Sequence, residues 1–416
     1  MPRTASAILS RRTIWKKAGI ACGTLLLIFA ASALYFKQEL VRIHFVLTLF
    51  EPDVIVENFR DMTRVFDSHT VHRKGVVYEL ARHPSPLPET FTYRGKRQDL
   101  NAWIQRTDTA GLIVIHDEKV AFEHYYKGNT AGTRWISWSV GKSLVSAMVG
   151  FALQDGSIRS LSDPVTDYAP SLSTSGYDGV AIKDVLQMSS GIRFNEDYGD
   201  FHSDINRMGR TFALGTSMEA FVLSLKNARP PGTYHHYVSM DTQVLGMVLQ
   251  KATGQSLSAY LEKKLWSQLG MDSDALWIVD GEGMELAFGT LNAVLRDYAR
   301  FGLFYLNEGR DHLGRQLLSA DYVKASVTPD APHLFPGLDN TASNTSLGYG
   351  YQWWLPETPD GDFCAIGVYG QFIYVHPRHN VVIAKNSAYV DYNQSGDEME
   401  FESLAAFRAI ARHLDR

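Results

Sequence analysis

The pattern that most constrains this 416-residue chain is the wide separation of its two strand-rich stretches. Leu112-Ile113-Val114-Ile115, the polar turn from His116 to Lys119, then Val120-Ala121-Phe122 and Tyr125-Tyr126 read as a β-hairpin. The second stretch lies far downstream. It comprises Gly350 to Leu355, Phe363 to Val368, Phe372 to Val375, the turn Pro377-Arg378-His379-Asn380 and Val381 to Ala384, closed by a helical run from Met399 to His413. Short loops between these strands imply antiparallel pairing. Between the two stretches the apolar spacing is helical. Val140, Leu144, Val145, Met148 and Ala152 recur at three-to-four spacing up to Gly156, and further helices fit Thr242 to Lys251, Leu257 to Leu269 and Leu295 to Leu306. A hairpin, a helical insert and a closing meander predict an α/β (α+β) fold: an antiparallel sheet flanked by helices, with an all-helical second lobe. The cleft between the lobes is the expected place for chemistry.

The N-terminus carries a different signal. Residues 18–36 (AGIACGTLLLIFAASALYF) hold no charge and follow Arg3, Arg11, Arg12, Lys16 and Lys17. They read as a single transmembrane signal anchor, with residues 1–17 as a basic cytoplasmic N-terminus and the rest of the chain on the periplasmic side of the inner membrane. The rival reading is a signal peptide cleaved near Ala33, since Ala31-Ser32-Ala33 offers a small-residue site. Residues 37–94 mix apolar and charged residues without clean periodicity and end in Pro84, Pro86 and Pro88, as a connecting segment would. Residues 95–416 show no Gly/Ser-rich linker and no internal repeat, so they are expected to form one large domain or two interleaved lobes.

Composition removes several function classes. Forty Lys and Arg against 45 Asp and Glu leave a net charge of −5, with no basic excess for a nucleic-acid partner. Cys22 and Cys364 are the two cysteines, too few for a cysteine zinc site, and Cys364 reads as a small buried hydrophobe. There is no HExxH helix and no GxSxG elbow, and Gly141-Lys142-Ser143 is not a P-loop because Ile136 holds the place of its first glycine. His235 and His236 have no partner at ligand spacing. No metal, nucleotide or other cofactor is implied.

What remains is Ser139-Val140-Gly141-Lys142, where a serine precedes a lysine by three. The apolar approach Trp135-Ile136-Ser137-Trp138 leads to a helix expected to begin near Ser139, and helical spacing sets residues i and i+3 on one face. A serine hydroxyl needs a base to take its proton, and a lysine serves as one when burial lowers its pKa. The unpaired N–H groups of a helix start, that of Ser139 included, point toward developing negative charge.

With these residues the chain resembles the serine β-lactamase and penicillin-binding-protein superfamily, whose signature is SxxK, then Tyr-x-Asn or Ser-x-Asn, then a Lys-Thr-Gly strand. Ser139 and Lys142 match the first element, and Pro231-Gly232-Thr233 leads into Tyr237-Val238-Ser239 at the second. The stretches Met188 to Tyr198 and Gly367-Val368-Tyr369-Gly370-Gln371 look most like the 6-aminohexanoate-dimer hydrolase and class C esterase-like branch, and the resemblance runs over roughly residues 95–412. It implies Ser139 as acylated nucleophile, Lys142 as its base and Tyr237 as proton relay. The oxyanion hole would be the backbone N–H groups of Ser139 and Val368, with Tyr198, Ser239, Gly367 and Gly370 as substrate-binding positions.

Two departures stand out: Ser239 occupies the place where Asn is usual, and no Lys-Thr-Gly or His-Thr-Gly occurs. Without that cation a substrate carboxylate loses its anchor, which favours small amides or esters over β-lactams and D-alanyl peptides. The expected function is therefore a membrane-anchored, exported serine hydrolase of a small amide or ester. A penicillin-binding protein, D-Ala peptidase or β-lactamase is the alternative on the same fold, and a catalytically silent scaffold the alternative from another class. Oligomeric state is not legible. Trp353-Trp354 read as strand packing, Arg296-Asp297 with Arg300 as a paired helix face, and Asp204 as either a cleft-mouth or a capping residue.

Overall fold

The computed structural model describes residues 15–24, 36–358 and 360–415. Seven antiparallel strands form the main sheet, in spatial order Lys119–Tyr125, Thr109–His116, Val381–Ser387, Gln371–His376, Phe363–Gly367, Trp354–Leu355 and Gly348–Tyr349. The early hairpin and the late meander thus join edge to edge: Val114 pairs with Ile383 and Leu112 with Lys385. Both faces of these central strands are covered, which is why they read as unbroken apolar runs and not as alternation. The C-terminal helix Tyr392–Leu414 lays Phe407 against Trp103, Phe372 and Tyr374 on one face. The helix Leu295–Leu306, at the bounds its periodicity predicts, covers the other and packs Phe301 on Trp353. Each such buried ring contributes roughly 1.5–3 kcal/mol over leaving it in water.

The helical lobe holds the helices Gly141–Gln154 and Ser239–Thr253 at its centre, both apolar over most of their circumference. Gly254 ends the second in a left-handed conformation that a glycine adopts without a Cβ penalty. The expected helix from Leu257 to Leu269 is a single turn, Leu257–Leu261, that widens into a five-residue π segment at Glu262–Trp266. A smaller four-stranded antiparallel sheet, in the order Ser68–Val71, Ala275–Ile278, Leu291–Val294 and Arg134–Ile136, bridges the lobes and is not marked by any long apolar run in the sequence.

Two expectations need revision, and a third falls largely outside the described residues. The stretch Gly350 to Leu355 is not one strand: Gln352 takes a left-handed backbone, and two-residue strands lie either side of it. The segment 37–94 is more than a connector. Its helices Lys37–Leu47 and Ile55–Arg60 sink Phe45, Ile55 and Phe59 into the main core. Finally, among the described residues no helix is long and apolar enough to cross a membrane. Residues 15–24 are helical, whereas residues 25–35 of the expected transmembrane helix 18–36 lie outside the described residues.

Candidate active site

Ser139 sits where the strand Arg134–Ile136 hands over to the helix Gly141–Gln154. The handover is a short 3-10 turn, Trp138–Val140, and not the first turn of the α-helix itself. Trp138 holds a positive φ of 41°, a conformation that costs a bulky residue on the order of 1–3 kcal/mol. An aromatic nest holds it there: Phe50 and Phe59 lie 5.6 and 5.3 Å from its ring, and Tyr369 stacks on Phe50 at 4.3 Å. Phe50 and Phe59 both belong to the segment read from sequence as a connector.

One helical turn on, Lys142 Nζ donates to Ser139 Oγ at 2.8 Å and to the Phe288 carbonyl at 2.6 Å. The lysine is only 2% exposed, and that burial holds its pKa well below the usual lysine range, against a smaller upward pull from Glu196. Tyr237 lines the same cleft as Ser139, and its ring lies 5.2 Å from Lys142 Nζ. Burial, with the nearby Glu196, pushes the Tyr237 phenol well above its ordinary pKa, so it keeps its proton. Trp354 stacks on the Tyr237 ring at 5.3 Å and fixes its plane. The structure therefore brings Ser139, Lys142 and Tyr237 into one cluster.

The strand Phe363–Gly367 passes directly beside Ser139. A Cβ on Gly367 would lie 2.9 Å from the Ser137 carbonyl oxygen and 3.1 Å from the Ser139 nitrogen, so the close approach requires glycine there. Gly370 closes a tight turn by donating to the Gly367 carbonyl at 3.2 Å. Gln371 then clamps it: its Nε2 donates to the Val368 carbonyl at 3.0 Å, while its Oε1 accepts from Trp135 Nε1 and from the Ser387 N–H. Val368 lines the cleft with Ser139 and Tyr237.

Tyr198 also reaches the site, from a loop held by Asn206 Nδ2 donating to the Tyr198 and Asp200 carbonyls at 2.9 and 2.8 Å. Ser239 is buried at the helix start behind Tyr237, its N–H donating to Glu196. Gly370 lies two residues beyond Val368, outside the cleft lining and over Ser387. Asp204 is neither in the cleft lining nor the helix cap, which is Ser203; as the first residue of that helix it accepts from the Asn195 N–H at 2.9 Å and pairs with Arg207. Arg300 forms a buried ion pair with Asp297 and Asp272. His235 packs between Tyr349 and Trp354, His236 bonds the Phe194 carbonyl, and Cys364 is fully buried.

Sequence reading passed over Glu196, Trp354 and Gln371. Glu196 stands within a quoted motif, but a carboxylate on a loop gives no sign of what it will face. Trp354 was assigned to sheet packing, and Gln371 acts through a clamp visible only once the strands are paired. Asp360, His376 and His379 gather three donor atoms within 4.8 Å of one another. They lie at the end of their strand opposite Gln371, and Arg378 and Arg412 already hold Asp360.

The cleft over Ser139 has a volume of about 810 Å³. Glu196, Asp197, Asp397 and Glu400 line it, and among the described residues no Lys, Arg or His does.

Comparison with known proteins agrees with this geometry. The beta-lactamase family model matches residues 94–406. The chain is 30% identical over 300 residues to the 6-aminohexanoate-dimer hydrolase of Paenarthrobacter ureafaciens, covering 70% of this chain and 76% of the relative. It is 26% identical over 180 residues to a beta-lactamase of Pseudomonas fluorescens, covering 40% of this chain and 46% of that protein. The fold superposes on a proposed 6-aminohexanoate-dimer hydrolase from Bacillus anthracis with a TM-score of 0.78 at 21% identity, over 88% of this chain and 96% of that one. The chain belongs to the beta-lactamase family, as a serine hydrolase of the branch that includes 6-aminohexanoate-dimer hydrolase.

Proposed function

We propose that the protein cleaves a small amide or ester through an acyl-serine intermediate, with Ser139 as nucleophile, Lys142 as its base and Tyr237 as proton donor to the leaving group. The observation that carries this reading is the 2.8 Å contact from a buried Lys142 to Ser139 Oγ. Ser139 Oγ attacks the carbonyl carbon as its proton passes to Lys142, and the oxyanion gathers on the N–H groups of Ser139 and Val368. Collapse breaks the C–N or C–O bond. Tyr237 gives its proton to the leaving nitrogen or oxygen and regains one from Lys142. Water then attacks the acyl-serine, losing its proton to the same pair, and Ser139 is restored. Every proton and electron pair in this cycle is handled by side chains and backbone, without a cofactor.

The carboxyl groups of the cleft, with no cation among the described lining residues, favour a substrate that carries an amine on its leaving side and disfavour one anchored by a carboxylate, although burial raises the pKa of Glu196 and brings that of Glu400 to about 8, which weakens their share of the charge. This weighs against the second reading, a β-lactamase or D-alanyl peptidase, and agrees with the lack of a Lys-Thr-Gly strand. The basic flank before residues 18–36 supports an inner-membrane anchor with the catalytic domain in the periplasm; cell fractionation with protease protection checks it.

Intact-mass spectrometry of the full chain, exposed separately to p-nitrophenyl acetate, a fluorophosphonate and penicillin G, tests the chemistry. Adducts from the first two, lost in Ser139→Ala, are expected. A stable penicillin adduct would move the protein to cell-wall chemistry, and no adduct at all would leave a silent scaffold.

A further inference from the structure

A second cavity, of about 290 Å³, reaches Ser139 and Lys142 from the side of the N-terminal segment. Leu47, Leu49 and Phe50 form one wall, Ile205, Met208 and Phe212 of the helix Asp204–Ala213 the opposite one, and Leu286 and Phe288 the floor. Among the described residues no Asp or Glu lines it. Its charged residues are Lys142 and Arg210, and Arg210 lies over the Phe201 ring at 3.9 Å while donating to the Phe201 carbonyl at 2.7 Å. Two of its residues, Leu47 and Phe201, are 54% and 55% exposed, which opens the chamber to the outside through an apolar rim.

The nucleophile therefore stands between two spaces of opposite character. Tyr237 lines the acidic cleft and not the apolar chamber, so in the proposed cycle the leaving group departs through the cleft. An unfilled apolar cavity is destabilising, and one that ends on a nucleophile is suited to a chain that stays with the acyl carbon. We propose that this chamber binds the alkyl chain of the substrate's acyl group, making the protein selective for amides or esters of uncharged, short to medium aliphatic acids. The proposal rests on the hydrolase reading above. In acylation the Ser139 Oγ–carbon bond forms and the bond to nitrogen or oxygen breaks, leaving the acyl chain in the chamber until water releases it as the free acid.

Gly209 gives a narrow test. Gly209 lines the chamber, and a Cβ there would meet only Val46 Cγ1, at 3.6 Å, an ordinary van der Waals contact. Values of kcat/KM for p-nitrophenyl acetate, butyrate and octanoate are to be measured on the full chain, with fluorophosphonate labelling of Ser139 in parallel. Burial of two more methylenes should raise kcat/KM about tenfold from acetate to butyrate. Gly209→Leu should bring that ratio close to one, and Met208→Ala should shift the preference toward octanoate. Equal rates for all three esters in the wild-type protein, or ratios that neither variant changes, would overturn the proposal while intact labelling preserved the hydrolase reading. Loss of labelling in the wild-type protein would instead remove the hydrolase reading itself, and the chamber proposal with it. Should Gly209→Leu fail to fold, Met208→Ala reads the same chamber in the opposite direction.

Discussion

Changing the proton affinity of Lys142 should change the rate in a calculable way. Burial brings its pKa from 10.5 to about 7. At pH 7 an ordinary lysine is neutral in roughly one molecule in three thousand, whereas one with a pKa near 7 is neutral in about half, a gain of about a thousandfold in competent base. Because the neutral amine is the active form, kcat/KM for p-nitrophenyl acetate should climb as pH rises through about 7 and level off above it. Lys142→Arg keeps the hydrogen-bond donors but cannot release a proton, so it should lose at least about 10³ in kcat/KM and with it the rise in the profile. Glu196 pulls in the opposite direction. Its nearby charge favours the protonated lysine, so Glu196→Gln should move the midpoint to lower pH. A profile flat from pH 5 to 9, or a Lys142→Arg enzyme within tenfold of the wild-type protein, would refute a buried lysine as base.

Two further outcomes follow from the packing. In Gly367→Ala the new methyl meets the Ser137 carbonyl, the Ser139 amide and Gln371 Cβ, which must shift the oxyanion strand; kcat should fall by roughly 10²–10³, the loss of one oxyanion donor, and an unchanged kcat would count against Val368. Asp241 is fully buried, accepts from Ser190 and Tyr177, and has its pKa raised from 3.8 to about 8 by burial. The folded protein therefore holds a proton that the unfolded chain has released between those values. This contribution to stability is complete below pH 3.8 and is lost as pH rises toward about 8, at up to ~1.4 kcal/mol per pH unit. Asp241→Asn should flatten that decline in urea titrations compared at pH 5 and 7.5, and equal declines in both proteins would disprove it.

The sequence was most legible where one residue type does one job. Apolar spacing set the helix Leu295–Leu306 at its true bounds, and the uninterrupted apolar strands announced a sheet covered on both faces. Ser139 and Lys142 lie one helical turn apart, so their meeting is a local property of the chain. What was not legible depends on distant partners. Phe50 looks like any apolar residue of an irregular segment until Trp138 and Tyr369 close on it. The small bridging sheet joins residues 68–71 to residues 275–278, a pairing that no local pattern encodes. The carboxyl lining of the cleft likewise assembles from two loop residues and two residues of the last helix, each an ordinary polar position in its own stretch.

The pairing of residues 109–116 with residues 381–387 also sets a timetable for synthesis. The serine and its lysine leave the ribosome early, in a segment whose neighbouring hairpin has one edge still open. The Val368 donor, the Gln371 clamp and the strand that seals that edge follow far downstream. A nascent or truncated chain thus carries a nucleophile with nowhere to place negative charge, and an unpaired edge that favours association with other chains. Removal of residues beyond 362 should therefore leave a protein that is both inert and prone to aggregate, because the strands that finish the site are the same ones that seal the open edge.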